Sequence, residues 1–196
     1  DGVDARIGPD SIRDLQLHSQ ESYELDCNWK VYVDNYLEGY HVPHIHPKLT
    51  SLLDYRNYTT ETAAWYSLQA SPMKAAGNFY GSGEALYYFV YPNTMLNLLP
   101  GRLQINRVLP LGVDRCRIAF DYYYPGDADA AELRRRRQDQ SFSAKVQRED
   151  AEICLAVQQR LASGSYAPGR LCPKRENAVH HFQELLRRAW REAASA

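Results

Sequence analysis

Five stretches between positions 56 and 124 constrain this chain more than any other feature: 56–70, 85–91, 94–99, 102–110 and 115–124. They are rich in Tyr, Val, Ile and Thr, the residues that suit a pleated, half-buried surface. Gly77, Gly81, Gly83, Pro92 with Asn93, Pro100 with Gly101, and Pro110 through Gly112 break them. Connections this short cannot cross over a sheet, so the strands should form an antiparallel meander. On either side the period changes. Trp29, Val33, Tyr36 and Tyr40 share one face of a helix starting near Asn28, and Asp34, Leu37, Glu38 and His41 form a second stripe. That helix should stop near His41 or Val42, because Pro43 disfavours helical geometry in the residue before it. A long helix is expected over 128–162, a loop over 163–175 and an amphipathic helix over 176–193. A helix, a run of strands and then helices is an α+β order, with an antiparallel sheet carrying helices on one face.

The chain has 196 residues, enough for one domain with a real core. Residues 1–22 are polar and lack a clear period, so they read as an arm or linker, with the folded domain over 23–196. A net charge of −1 argues against nucleic acid or an anionic membrane as the main partner. No stretch approaches the roughly 20 apolar residues of a membrane span. Cys27, Cys116, Cys154 and Cys172 form no C-x-x-C pair, which suggests reduced thiols and a cytoplasmic setting rather than a disulfide framework or a compact zinc or iron–sulfur site. Fifteen tyrosines against five phenylalanines suggest either a polar-lined cavity or a simple replacement of Phe by Tyr.

Two carboxylates stand where apolar residues are expected. On the long helix, Phe142, Val146, Ile153, Val157 and Leu161 make an apolar stripe in which Asp150 fills the gap. A buried carboxylate costs several kcal/mol unless it is paired, hydrogen-bonded or bound to a cation. Near the first helix, Glu38 and His41 are three residues apart, and His46 follows five residues later, past Pro43. Two neutral imidazoles and a carboxylate make a facial set with open positions, which suits ferrous iron. The same ligands would suit catalytic zinc, although the H-E-x-x-H spacing of zinc proteases is absent. His44 lies between the two and offers an alternative His41/His44 pair.

Asn28-Trp29-Lys30, then Asp34 through Pro43, then His46-Pro47 together resemble the catalytic domain of the large subunit of Rieske-type non-haem iron ring-hydroxylating oxygenases. Tyr91-Pro92-Asn93, Val146 through Asp150, Val157-Gln158 and the Tyr166 to Gly169 loop are similar to later parts of the same family. The resemblance implies a helix-grip fold, a curved antiparallel sheet with a long C-terminal helix packed on it. It implies that His41, His46 and Asp150 bind mononuclear Fe(II), that Glu38 is an acid bridging His41 to a histidine on a [2Fe–2S] Rieske cluster, and that Asn35 lies near the iron. It also implies a homotrimer, electrons from a Rieske domain or ferredoxin and an NAD(P)H reductase, and oxygen from O2 inserted into an aromatic or other small organic substrate.

Two departures matter. Many aromatic dioxygenases have Asp where Glu38 stands, and Glu is similar to the subset acting on quaternary amines such as choline or carnitine. The cluster motifs C-x-H and C-x-x-H are absent, so the cluster is expected on a domain upstream of Asp1 or on another chain. Two further readings are a metal-free ligand-binding module on the same scaffold and a zinc hydrolase. The Arg134 to Arg137 run reads as a solvated helix face, or as a docking site for an acidic redox partner. His180 and His181 read as structural or exposed.

Overall fold

The computed structural model describes residues 2–7, 10–74, 78–167 and 169–195. Asp1, Gly8 and Pro9 of the expected arm, Gly77 among the expected strand breaks, and Pro168 of the loop after the long helix lie outside them. Two short helices, α1 (Gly2–Ile7) and α2 (Asp10–Arg13), precede strand β1 (Leu15–Leu25). Three helices follow, α3 (Trp29–Leu37), α4 (Val42–Ile45) and α5 (Pro47–Leu52). The meander is β2 (Thr59–Thr62), β3 (Tyr66–Pro72), β4 (Glu84–Val90), β5 (Thr94–Leu99), β6 (Arg102–Pro110) and β7 (Cys116–Pro125). The chain closes with α6 (Ala130–Ala162) and α7 (Asn177–Ala194).

Among the described residues these strands make one seven-stranded antiparallel sheet, ordered β1-β7-β6-β5-β4-β3-β2. The α+β architecture with a curved antiparallel sheet and a long helix is therefore as expected. Two boundaries differ. The stretch 56–70 is a hairpin of two strands, β2 and β3, rather than one. Much of the supposed arm is β1, which runs antiparallel to β7 at the sheet edge. Only alternate residues of β1 are half-buried, and a register shift between Leu17 and Ser19 interrupts the alternation. An edge strand of this kind shows little apolar period.

The main core lies between the sheet and helices α3, α6 and α7. Val33 and Leu37 of α3, Ile118, Phe120 and Tyr122 of β7, Cys154 of α6 and Phe182 of α7 meet there. Phe182 packs edge-on against Trp29 and Phe89, with ring centroids 5.8 and 5.3 Å away. A second cluster, including Val42, Leu52, Leu53, Tyr80 and Leu99, packs α4 and α5 against the sheet.

The buried face of α6 differs most from expectation. Val157 and Leu161 of the apolar stripe are exposed, and the buried residues are Arg136, Asp139, Gln147 and Cys154. Polar side chains thus face inward along the first half of this helix, and they find partners there. Asp139 accepts hydrogen bonds from Tyr80, Tyr124 and Arg102. Arg136 lies over the ring of Tyr124 and donates to Glu132 and to the carbonyl of Pro125 at 2.9 and 2.6 Å. The arginine run is therefore only in part a solvated face: Arg134 and Arg137 are exposed, while Arg136 is buried.

Candidate metal centre

The chain positions His41 and His46 with a single turn of helix. Asn28 caps α3 by accepting from the Lys30 amide at 3.0 Å, as N-cap side chains do. The helix ends at Leu37, earlier than Pro43 would require, and Glu38 is already extended. Pro43 therefore does not end α3. It occupies the first turn of α4, where its missing N–H is no loss. His41 precedes that turn and His46 ends it, donating its backbone N–H to the Val42 carbonyl at 3.0 Å. The turn stacks the two imidazoles edge to face, with ring centroids 5.0 Å apart.

Asp150 approaches from the middle of α6. Among the described residues, His41, His46 and Asp150 form the group able to hold a metal ion, each offering one ligand atom, all within 4.8 Å of one another. Asp150 Oδ1 lies 3.1 Å from His46 Nε2 and 3.6 Å from His41 Nε2. The other ring nitrogens are held from outside. Glu38 Oε1 is 2.8 Å from His41 Nδ1, and Glu149 Oε2 is 2.7 Å from His46 Nδ1. A carboxylate on Nδ1 favours the tautomer whose bare Nε2 points at the metal position, and raises its basicity. Asn35 donates from Nδ2 to Asp150 Oδ1 at 2.7 Å, which orients the third ligand. Burial pulls the pKa of His46 down, but hydrogen bonds and charge from Asp150 and Glu149 outweigh it and leave the pKa above the ordinary value. Two imidazole nitrogens and a carboxylate oxygen, with further carboxylates behind both rings, make a donor set that fits a divalent ion.

The structure brings His41, His46, Asp150, Glu38 and Asn35 together. His44 does not join them; it is exposed on α4 and outside the group. His180 is exposed and His181 half-buried, and neither belongs to it. Three contributors were missed in sequence. Glu149 precedes Asp150, so its role was masked by the ligand beside it. Tyr32 and Gln147, joined by a 2.5 Å hydrogen bond from the Tyr32 hydroxyl to Gln147 Oε1, sit beneath the site. They could have been found only by treating the polar face of α6 as buried.

The ligands border a cavity of about 120 Å³. Tyr36, Tyr58, Tyr80 and Tyr87 line it, as do Leu49, Leu53 and Phe142. The cavity side of the tyrosine question is thereby supported, while Tyr88 and Tyr122, whose buried hydroxyls have no hydrogen-bond partner, fill the core as Phe would. Gly39 is required at its rim, since a Cβ there would sit 2.6 Å from the Tyr58 ring. The four cysteines are free thiols, Cys27, Cys116 and Cys154 buried and Cys172 exposed. Among the described residues no helix is long and apolar enough to cross a membrane.

The family model for the ring hydroxylating alpha subunit (catalytic domain) matches residues 12–192. Choline monooxygenase, chloroplastic, from Arabidopsis thaliana is 40% identical over 179 residues, covering 88% of this chain and 42% of that protein. The Beta vulgaris protein of the same name is 32% identical, covering 86% of this chain and 38% of that protein. A solved quaternary ammonium Rieske monooxygenase, described in connection with carnitine oxidation, superposes with a TM-score of 0.79 at 24% identity, covering 89% of this chain and 50% of that one. The chain thus spans half or less of the length of each of these three proteins. With a family model aligned to nearly all of its length and a relative 40% identical over most of it, the chain belongs to the catalytic domain family of ring-hydroxylating oxygenase alpha subunits.

Proposed function

We propose that this chain is the oxygen-activating domain of a monooxygenase acting on a small quaternary-ammonium compound, with mononuclear Fe(II) held by His41, His46 and Asp150. The observation that carries the reading is the convergence of these three ligand atoms within 4.8 Å at the wall of a tyrosine-lined cavity. Two imidazoles and one carboxylate leave coordination positions open on one side. Fe(II) bound there supplies the site at which O2 is reduced. The protein's own residues do the rest. Glu38 and Glu149 hold the imidazoles from behind, and Asn35 fixes Asp150.

The likeness to choline monooxygenases favours a quaternary-ammonium substrate over the aromatic one expected first. The cavity suits it chemically. Tyr36, Tyr58 and Tyr87 line it, and an aromatic face turned to a desolvated cation attracts it by about 0.5 to 2 kcal/mol. The site also fits the wider electron route. Glu38 holds His41 yet keeps 13% of its side chain exposed, so an acid on its outer side can meet a [2Fe–2S] cluster on an upstream domain, a second subunit of a trimer or a ferredoxin supplied by an NAD(P)H reductase. The test is turnover under 18O2 with a cluster-bearing donor and reductase added to the Fe(II)-loaded chain. A single labelled oxygen in the product of a quaternary ammonium compound, with no turnover when the donor is left out, is expected. Turnover confined to aromatic substrates would overturn the substrate assignment, and turnover with reductase alone would overturn the electron route.

A further inference from the structure

Tyr32 of α3 and Gln147 of α6 pair beneath the metal position, and the pairing leaves one hydrogen-bond donor over. Tyr32 is buried, and burial, followed by the charge of Asp150, holds its hydroxyl well above the ordinary phenol range, so it keeps its proton. Gln147 Oε1 accepts that proton at 2.5 Å. An amide carries its oxygen on one side and its nitrogen on the other, so a hydroxyl that grips the oxygen fixes which way the nitrogen faces. Gln147 Nε2 is buried and has no hydrogen-bond partner, in a residue only 3% exposed that lines the cavity.

Gln147 precedes Asp150 by three positions on α6, which puts both on one helix face with Cβ atoms about 5 to 6 Å apart. The amide does not serve the carboxylate. Asp150 meets Asn35 and both imidazoles through Oδ1, and Gln147 Nε2 bonds to neither of its oxygens. Several phenols lining the same cavity donate to the protein instead: Tyr36 to Asn97, Tyr58 to Gln69 and Tyr80 to Asp139. The cavity that Gln147 lines is also the space bordered by His41, His46 and Asp150. A buried donor without an acceptor is unfavourable, and one fixed from behind needs no reorganisation when an acceptor arrives. We infer that Gln147 Nε2 donates a hydrogen bond to the small exogenous ligand that completes the coordination of a metal ion at His41, His46 and Asp150, with Tyr32 as the positioning residue that orients the amide. The ligand class is a diatomic molecule or small anion with a lone pair beyond its metal-binding atom, such as dioxygen, nitric oxide or azide. This rests on the metal reading of the site and does not depend on which organic substrate the cavity takes.

The experiment is titration of the Co(II)-loaded chain with azide, followed by the visible absorption of the metal, with imidazole as the control ligand. Co(II) accepts the same donors as Fe(II) and binds them at least as tightly. Gln147→Met should weaken azide binding by about ten-fold or more, as for one hydrogen bond to a charged acceptor. It should leave imidazole, which offers no acceptor beyond its metal-binding nitrogen, and Co(II) itself bound as in the unaltered chain. On the Fe(II)-loaded chain the same substitution should raise the N–O stretching frequency of the nitric oxide adduct, because no donor then draws electron density to the terminal oxygen. Tyr32→Phe removes one buried oxygen and frees the amide to turn. It should lose part of the azide affinity and shift the stretch the same way, a readout that survives if Gln147→Met does not fold. Azide binding by both variants equal to that of the unaltered chain would overturn the inference and leave the metal reading standing. So would a loss shared equally by azide and imidazole, or a loss of Co(II) affinity alone, which would place the amide on Asp150. An unaltered chain that binds neither Co(II) nor Fe(II) would overturn both.

Discussion

Asp34 should act as a destabilising acid at neutral pH. It sits on α3 against α7, where burial pushes its carboxyl up to about 7 from 3.8, with Gln183 and Lys30 only partly offsetting the effect. Its Oδ2 accepts from Gln183 Nε2 at a long 3.3 Å, and its Oδ1 is buried without a partner. The sign follows from linkage. Between about pH 4 and pH 7 the folded chain keeps a proton here that the unfolded chain has released, so stability falls as pH rises through that window and levels off above it. A full shift of this size corresponds to about 4 kcal/mol, at about 1.36 kcal/mol per pKa unit. The same relation gives about 2 kcal/mol at pH 5 and about 4 kcal/mol at pH 8. Asp34→Asn keeps an acceptor for Gln183 and cannot ionise. Its stability advantage over the unaltered chain should grow by about 2 to 3 kcal/mol between pH 5 and pH 8. Urea unfolding at both pH values measures this, as a midpoint difference that widens by about 1 M for a slope near 2 kcal/mol per M. Taking the difference between variant and parent cancels the other titrating groups. A gap that stays constant with pH, or narrows, would refute the reasoning.

Arg102→Met should cost about 3 to 5 kcal/mol in urea unfolding, because it leaves Asp139 as an uncompensated buried charge; restoring much of that stability with Asp139→Asn in the same chain would confirm the cause. Glu149→Gln should weaken Fe(II) binding by about 10- to 100-fold, since the His46 ring loses the acid that orients it, and competition with a chelator reads this directly. Gly39→Ala should drive Tyr58 into the cavity or destabilise the fold by about 1 to 3 kcal/mol; unfolding midpoints and the affinity for choline, measured together, show which occurs.

The strands from β3 to β7 were legible because their turn residues and composition agree, and nothing in the tertiary structure overrides them. The candidate ligand group was legible because Asp150 interrupts an apolar spacing and because the 28–47 segment carries a specific pattern. The strand β1 was not, since its half-buried positions include Ser19 and Glu21, and only Tyr23 and Leu25 near its end are apolar residues in the alternating register. The inward face of α6 was misread for a physical reason. An apolar stripe marks a core face only when the core is apolar, and here Asp139 is met by Arg102, Tyr80 and Tyr124, Arg136 by Glu132 and the Pro125 carbonyl, and Gln147 Oε1 by Tyr32. The apolar residues Val157 and Leu161 are left near the exposed end. Similarly, α3 stops at Leu37, and Tyr40, placed on its buried stripe by spacing, is exposed.

The most direct measurement is the iron content of the purified chain after anaerobic loading and desalting, with the nitrosyl adduct of bound Fe(II) read by electron paramagnetic resonance. One Fe(II) per chain, an axial high-spin signal, and loss of both in His41→Ala, His46→Ala and Asp150→Ala but not in His44→Ala are the predicted results. Retention of stoichiometric iron by all three ligand variants, or binding that depends on His44 instead, would contradict the site as assigned.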